Sequence, residues 1–566
     1  MRNRLDGLAR AVRRRAPLIA FVLIALLPPL ADAERRERRI DGWRPLHYDV
    51  RLWFEDDLSG LRRAEARATV LVLKDSLSVV DFDFGGMPVD GVKLGEEPLR
   101  YERAPGRLNV LLPRAARAGE KLEIVVDYHG RPADGLILTK DKDGNPSATG
   151  DNWPDRVHHW IPSLDHPAAK ASVTFHITAD KEYIAVANGT YSAATLYGSS
   201  ATWTWTETSP IPPYCMVVAV GKFEVREPSQ PAFGSPFRAP LSYLVPPSDQ
   251  TSALKGFSAA PFSLGYFDHL VAPFPYENLK HIVGATRYGG MENASAIVYA
   301  STLLDPRPNE PLSARFGIRR GLVEVVAHET AHQWFGDSVS PATWADLWLS
   351  EGFATYFAGL FVERYEGEAA FREYMSRAAE TYLRYERTRR APVYDRETED
   401  LNKLLNANNY QKGAWVLHTL RAQFGDAAFF RGIRAYYAAH KNRNATTEDL
   451  RAALERASGK DLRAFFARWV YGSGHPIYQA SWSWRASRAR GGVAILTLSQ
   501  SQADDPFLTP VPVEIVTAGG QVRRLTVRPT GRETTLRVTL ASRPAALKID
   551  PAGSLLKEVL PAPAQH

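Results

Sequence analysis

Residues 327–354 read AHETAHQWFGDSVSPATWADLWLSEGFA, which puts His328, Glu329 and His332 within five positions and Glu351 after eighteen intervening residues. On an α-helix, residues four apart share a face, so His328 and His332 can present two imidazoles to one ion while Glu329 lines the same sector. The flanks LVEVV and WF surround this helix with apolar residues and predict burial. Two imidazoles and a carboxylate buried together need a partner, and a cation supplies one. The turn GDSVSPATW then breaks the helix, and DLWLSEGFATYFAGLF starts another that carries Glu351 in its first turns. A helical hairpin would return Glu351 to the histidines as a third ligand. Three protein ligands leave a fourth position open for water, which separates a catalytic zinc from a structural one. Glu329, not itself a ligand, is then placed to take that water's proton. Read alone, the five-residue pattern is also that of a charged helix turn satisfied by hydrogen bonds, and Glu351 that of an ordinary glutamate near a helix N-terminus.

On both sides of this centre the periodicity changes. At 566 residues the chain exceeds one hydrophobic core, and two to four domains are expected. From about 44 to 227, segments such as HYDVRLWF, EARATVLVLK and ASVTFHITAD alternate in period two between Gly, Pro and Asn-Gly turns, predicting an all-β domain. From about 241 to 472 the period is helical, with long segments at 316–335, 347–365, 368–385, 410–424 and 447–470; Thr447, followed by Glu448 and Asp449, is the expected cap of the last. After Gly474-His475-Pro476, alternation returns in YQASWSW, VAILTLSQ and TTLRVTL. The expected fold class is multidomain α+β, with a signal segment at 1–33, an N-terminal β-sandwich at 34–240, a mostly helical catalytic domain at 241–475 and a small β-sandwich at 476–566.

The first 33 residues combine a basic start (Arg10, Arg13, Arg14, Arg15), an apolar run from Ala16 to Leu27 and a small-residue Ala31-Asp32-Ala33 site. That is secretory architecture and implies export to a bacterial periplasm or exterior; the alternative is an uncleaved membrane anchor, for which the run is short. These residues hold six Arg and two Asp, net +4, so the chain's +7 falls to +3 without them, and nucleic-acid binding is not indicated. Cys215 is the only cysteine, which excludes an intramolecular disulfide.

The stretch HETAHQWFGDSVSPATWADLWLSEGFATYF resembles the zinc signature of the aminopeptidase N and leukotriene hydrolase family of gluzincin metallopeptidases, with Ser350 where that family usually has Asn. Two further segments carry the resemblance. YGGMENAS is similar to the family's Gly-x-Met-Glu-Asn motif, which implies that Glu292 grips a substrate's free α-amine while Gly289, Gly290, Met291 and Asn293 hold the peptide along an extended edge. A carboxylate pairing with an ammonium would confine cutting to N-termini. NNYQKGAWVLHTL looks like the family's Tyr-x-Lys-Gly helix and implies that Tyr410 donates to the oxyanion. RPLHYDVRL, DNWPDRVHHWIPSLDHPAAKASVTF, TTEDLRAALERASGKDLRAFFARWVYGSGHP and LKIDPAGSLLKEVL follow in family order, so the likeness spans most of 44–560.

The resemblance implies an N-terminal β-sandwich saddle, a thermolysin-like catalytic domain and a small C-terminal β-sandwich, without the large helical domain of longer members. It also implies one Zn2+ per chain held by His328, His332 and Glu351, Glu329 as general base, and peptides with a free N-terminus as substrates. Where the family often has an amine-binding Gln, this chain has Trp153, with Asn152 and Asp155 close by. Relatives with epoxide hydrolase activity lack the small sandwich, so that activity is not carried over. Two other readings keep the fold: a catalytically silent peptide-binding module, and an endopeptidase with no need of the amine.

Overall fold

The computed structural model describes residues 34–227, 240–487 and 491–561; the signal segment at 1–33 lies outside them. The N-terminal half is built on an eight-stranded sheet. At its centre Trp43–Phe54 (β1) pairs antiparallel with Leu61–Val72 (β2), which pairs in turn with Lys121–Gly130 (β3). On its other side β1 runs parallel to Ala171–Asp180 (β4), next to Ser200–Ile211 (β5). One face of β1, with Tyr48, Val50, Leu52 and Phe54, is fully buried while the intervening residues are partly exposed, the signature of a sheet covered on one side.

The next layer departs from the sequence expectation. The segment after 241 begins not with helix but with a five-stranded sheet, in which Leu241–Val245 (β6), Leu279–Gly284 (β7) and Ala296–Ala300 (β8) run parallel. β7 and β8 are buried almost from end to end, so LKHIVG and AIVYA show no alternation to read. The two-residue strand Gly290–Met291 pairs antiparallel with Tyr299 and Val298 and forms the sheet's edge. Met291, Ala294 and Val298 join the same apolar cluster as the first sheet, so the loop carrying Glu292 is packed into the N-terminal core.

Helices follow. Arg320–His332 (α1) and Trp348–Glu366 (α2) pack as a hairpin, with Glu368–Glu386 (α3) and Gly413–Phe424 (α4) against α2. The first of these is shorter than the expected 316–335. From Trp348 to Val362 every residue of α2 is buried, so it is the central helix of this domain. A Cβ on Gly352 would sit 2.9 Å from the Cα of Gly413 and 3.1 Å from the carbonyl oxygen of Asn409; only glycine lets the start of α4 come this close to the start of α2.

The single helix expected at 447–470 is two, Thr447–Ser458 (α5) and Arg463–Trp469 (α6), interrupted at Gly459, whose φ of +68° closes the first. Its cap is Thr446, not Thr447: Thr446 accepts from the Asp449 N–H and the Asp449 carboxylate accepts from the Thr446 N–H, a reciprocal box. Thr447 instead binds Asp346 through its N–H and hydroxyl, fastening α5 to the turn before α2. The chain then ends in a four-stranded and a three-stranded sheet enclosing Tyr478, Leu496, Leu498, Val513 and Ile515. Among the described residues no helix is long and apolar enough to cross a membrane.

Candidate active site

The α1–α2 hairpin brings the three expected ligands together. His328 and His332 face each other with Nε2 atoms 3.0 Å apart, and Glu351 Oε2 lies 3.3 Å from each. A tetrahedral zinc with arms of ~2.05 Å has ligand–ligand edges of ~3.3 Å, so this triangle fits one face of such a site. The donor set also asks for a cation: Glu351 Oε2 is buried without a hydrogen-bond partner. Burial opposes charge on Glu351, but the two imidazoles outweigh it and hold the carboxylate down to about 2, the anionic form a ligand needs. His332 Nδ1 lies 3.1 Å from the Phe335 carbonyl and 3.0 Å from Ser350 Oγ. Burial opposes charge on His332, but Glu292, Glu351 and Glu329 outweigh it and raise its pKa to about 10; with a cation bound, donation from Nδ1–H to that carbonyl would leave Nε2 with its lone pair toward the centre.

Glu329 stands beside His332. Its carboxylate forms a second close group with Glu292 and His332, the three ligand-type atoms lying within 4.8 Å of one another. Burial, with the charges of Glu292 and Glu351 added, pushes its pKa well above the usual carboxylate range against the pull of His332. Gly290 passes directly over it: a methyl group there would collide with the Glu329 carboxylate. The edge strand and the expected base are therefore in van der Waals contact, and only glycine fits between them.

Tyr410 reaches the centre from a π-turn, Asn408–Lys412, immediately before α4. Its ring stacks on His328 at 5.9 Å with a 6° tilt. Burial raises its phenol pKa well above 10, with Glu351 and Glu292 adding to the effect, so it stays a proton donor. Glu292 is buried, its Oε1 without a partner, and burial together with Glu351 lifts its pKa to about 7 while His332 opposes. Gly289 is exposed beside the strand, Met291 is buried in the core, and Asn293 is buried with its Oδ1 unpartnered.

The Peptidase family M1 domain matches residues 262–469, and the Peptidase M1 N-terminal domain matches 97–215. The chain belongs to peptidase family M1. Among curated M1 relatives, Aminopeptidase 2 of Candida albicans is 29% identical over 338 residues, 58% of this chain and 36% of that protein. Tricorn protease-interacting factor F2 of Thermoplasma acidophilum is 25% identical over 452 residues, 78% of this chain and 55% of that one. The chain thus spans about a third to a half of the length of these relatives. An M1 zinc metallopeptidase from Deinococcus radiodurans superposes with a TM-score of 0.64 at 25% identity, covering 77% of this chain and 95% of that one. Legionella pneumophila aminopeptidase A, solved with aspartic acid, shares the fold at a TM-score of 0.80 and 17% identity, covering 94% of this chain and 61% of its own.

Trp153, Asn152 and Asp155 stand where the resemblance implies an amine-binding Gln. Trp153 is buried edge-on against Tyr214 and Trp344, each at 5.2 Å, with its indole nitrogen unpartnered. Asn152 is consumed internally, donating to the Met216 carbonyl and accepting from the Trp160 indole. Asp155 is pushed up to about 7 by burial and by Asp165. Sequence reasoning missed two polar residues that shape the site. Asp151 receives Arg156 and Thr286, and its charge reaches Glu292. Gln333, next to His332, bonds the Glu292 carbonyl. Neither carries a spacing signal, because the bonds that tie them to the site, Thr286 to Asp151 and Gln333 to the Glu292 carbonyl, span 135 and 41 residues.

Proposed function

We propose that this protein is a zinc-dependent aminopeptidase that removes the first residue from peptides. The observation that carries the reading is the buried Glu292 carboxylate, with one oxygen unpartnered, in the same close group as Glu329 and His332. An anchor for a charged amine then stands about one residue from the reacting carbonyl, so the bond cut is the first one.

Zinc held by His328, His332 and Glu351 would polarise the scissile carbonyl and bring the pKa of the attacking water to about 7. The protein's own groups do the rest. Glu292 accepts from the substrate α-ammonium, and the free edge at Gly290–Met291 aligns the peptide backbone by strand addition. Glu329 takes the proton of the attacking water and passes it to the leaving nitrogen as the C–N bond breaks. The Tyr410 hydroxyl donates to the oxyanion as the carbonyl becomes tetrahedral. The names of the relatives, several of them aminopeptidases, support the same reading. One zinc per chain is part of the proposal, supported by the one His–His–Glu set among the described residues.

Hydrolysis of aminoacyl-4-nitroanilides beside their N-acetylated counterparts, with and without a chelator, tests it. Chelator-sensitive cleavage of only the free-amine series is expected; cleavage of acetylated substrates would favour an endopeptidase, and no cleavage by zinc-loaded protein a silent binding module. Export to the periplasm or exterior is part of the proposal, supported by the basic start, apolar run and small-residue site of residues 1–33. Mass analysis of protein recovered from the periplasm should find an N-terminus near residue 34.

A further inference from the structure

One residue after the ligand His332, Gln333 takes no part in the chemistry above, yet every pole of its amide is engaged. It is fully buried. Its Oε1 accepts from the Ser295 N–H at 2.8 Å, and its Nε2 donates to the Glu292 carbonyl at 3.0 Å and to Asp337 Oδ2 at 2.8 Å. The amide's orientation is fixed by these partners, since the reverse would set NH2 against the Ser295 N–H. Three directional bonds from one buried side chain tie together α1, the turn after it and the 292–295 loop.

That loop has no regular structure of its own to hold Glu292 in place. It leaves the edge strand at Met291, and Ser295 sits at φ +59°, a left-handed conformation that a serine adopts only when held. The Lys280 N–H of β7 donates to the Ser295 carbonyl at 3.0 Å, and three further bonds come from the N-terminal half: Asn188 Nδ2 donates to the Ala294 carbonyl, the Gly189 N–H donates to Ser295 Oγ, and that hydroxyl donates to Glu207 Oε2. These bonds place the loop relative to the N-terminal sheet. Gln333 is the tie that places it relative to the histidine helix. Asp337 completes the frame, since its other oxygen accepts from the Cys215 thiol.

We propose that Gln333 is the positioning residue of the amine subsite, fixing the distance between Glu292 and the His328–His332–Glu351 centre and so setting the preference for a free N-terminus. The inference rests on the reading of Glu292 as amine anchor. Because an anchor misplaced by about 1 Å loses much of its effect, the amide bond acts on recognition before it acts on stability.

Leucine hydroxamate and its des-amino analogue 4-methylpentanohydroxamate provide the test: both offer the metal the same group, and only the first presents an α-ammonium. The ratio of their inhibition constants measures the amine subsite independently of turnover. Gln333→Glu keeps the shape and the Ser295 acceptor while removing both donors; Gln333→Met keeps the length alone. In both variants the ratio should fall about tenfold or more, toward the value of Glu292→Ala, with one zinc per chain retained and the des-amino constant changed less than about threefold. Adding Glu292→Ala to Gln333→Glu should cost nothing further. An unchanged ratio, an equal loss for both inhibitors, additive losses, or loss of zinc or fold in Gln333→Glu would overturn the proposal, the last because the amide would then serve α1. A wild-type ratio near one would instead overturn the aminopeptidase reading itself.

Discussion

Ser350 Oγ lies 3.0 Å from Nδ1 of His332, the nitrogen that also faces the Phe335 carbonyl at 3.1 Å. The serine that stands where the resemblance expects asparagine therefore touches the proposed ligand, from the turn of α2 that bears Glu351. Removing the hydroxyl leaves the ring one anchor instead of two. Ser350→Ala should weaken metal retention about tenfold, read by competition with a chelator, while the circular dichroism of the fold is unchanged.

Glu329→Gln keeps the volume of the side chain and abolishes its basicity. Zinc content should stay at one per chain, and kcat should drop by about 10²- to 10⁴-fold. Wild-type turnover in this variant would remove Glu329 from the mechanism.

Gly290 and Glu329 offer a steric test. A methyl group at 290 meets the Glu329 carboxylate, and the side chain that must give way is the base itself. Gly290→Ala should lower kcat/KM about a hundredfold with little change in melting temperature, since the backbone there has an ordinary negative φ and only the base is displaced. A melting temperature that falls in proportion to activity would mean that the strand, rather than the base, had moved.

The small C-terminal sheets dock on α3 through His475, which sits between Glu386 and Glu558, its Nε2 3.2 Å from Glu558 Oε2. Burial raises the Glu386 pKa, but the hydrogen bond and charge of His475, with Lys412 and Arg390 nearby, outweigh it and hold the carboxyl below its ordinary 4.5. A depressed carboxylate contributes stability that is complete above pH 4.5 and is lost as pH falls through the lowered pKa. Glu386→Gln should therefore melt below wild type near neutrality, and the gap should narrow on acidification below about pH 4.5. A gap that holds constant with pH would assign the difference to packing.

How much of this was legible beforehand depended on where each signal lives. The i, i+4 spacing of His328 and His332 and the turn before Glu351 are local, so the sequence could place them on a helical hairpin. The alternation of Tyr48, Val50 and Leu52 marks a half-covered sheet in the same way. β7 and β8 were unreadable because burial on both faces erases alternation. Thr446 and Thr447 differ by one position: the Thr446–Asp449 box that caps α5 is local, whereas the bond of Thr447 to the Asp346 carboxylate, about a hundred residues away, has no local sign. Gln333 was invisible for a related reason: a glutamine just past a helix end carries no signal until Ser295 and Glu292 arrive beside it.

The π-turn under Tyr410 has a consequence for the length of the chain rather than its composition. The Lys412 N–H bonds the Ala407 carbonyl at 2.9 Å, five residues back, so this turn holds one residue more than an α-turn would. Deleting a single residue just after Tyr410 would let the segment close as ordinary helix and change the direction of the phenol relative to Trp415 and Leu417, which stay locked in the core. Tyr410 is thus aimed by counting: its direction is stored in the number of residues in one turn, and a deletion could unmake it with every side chain of the site still present.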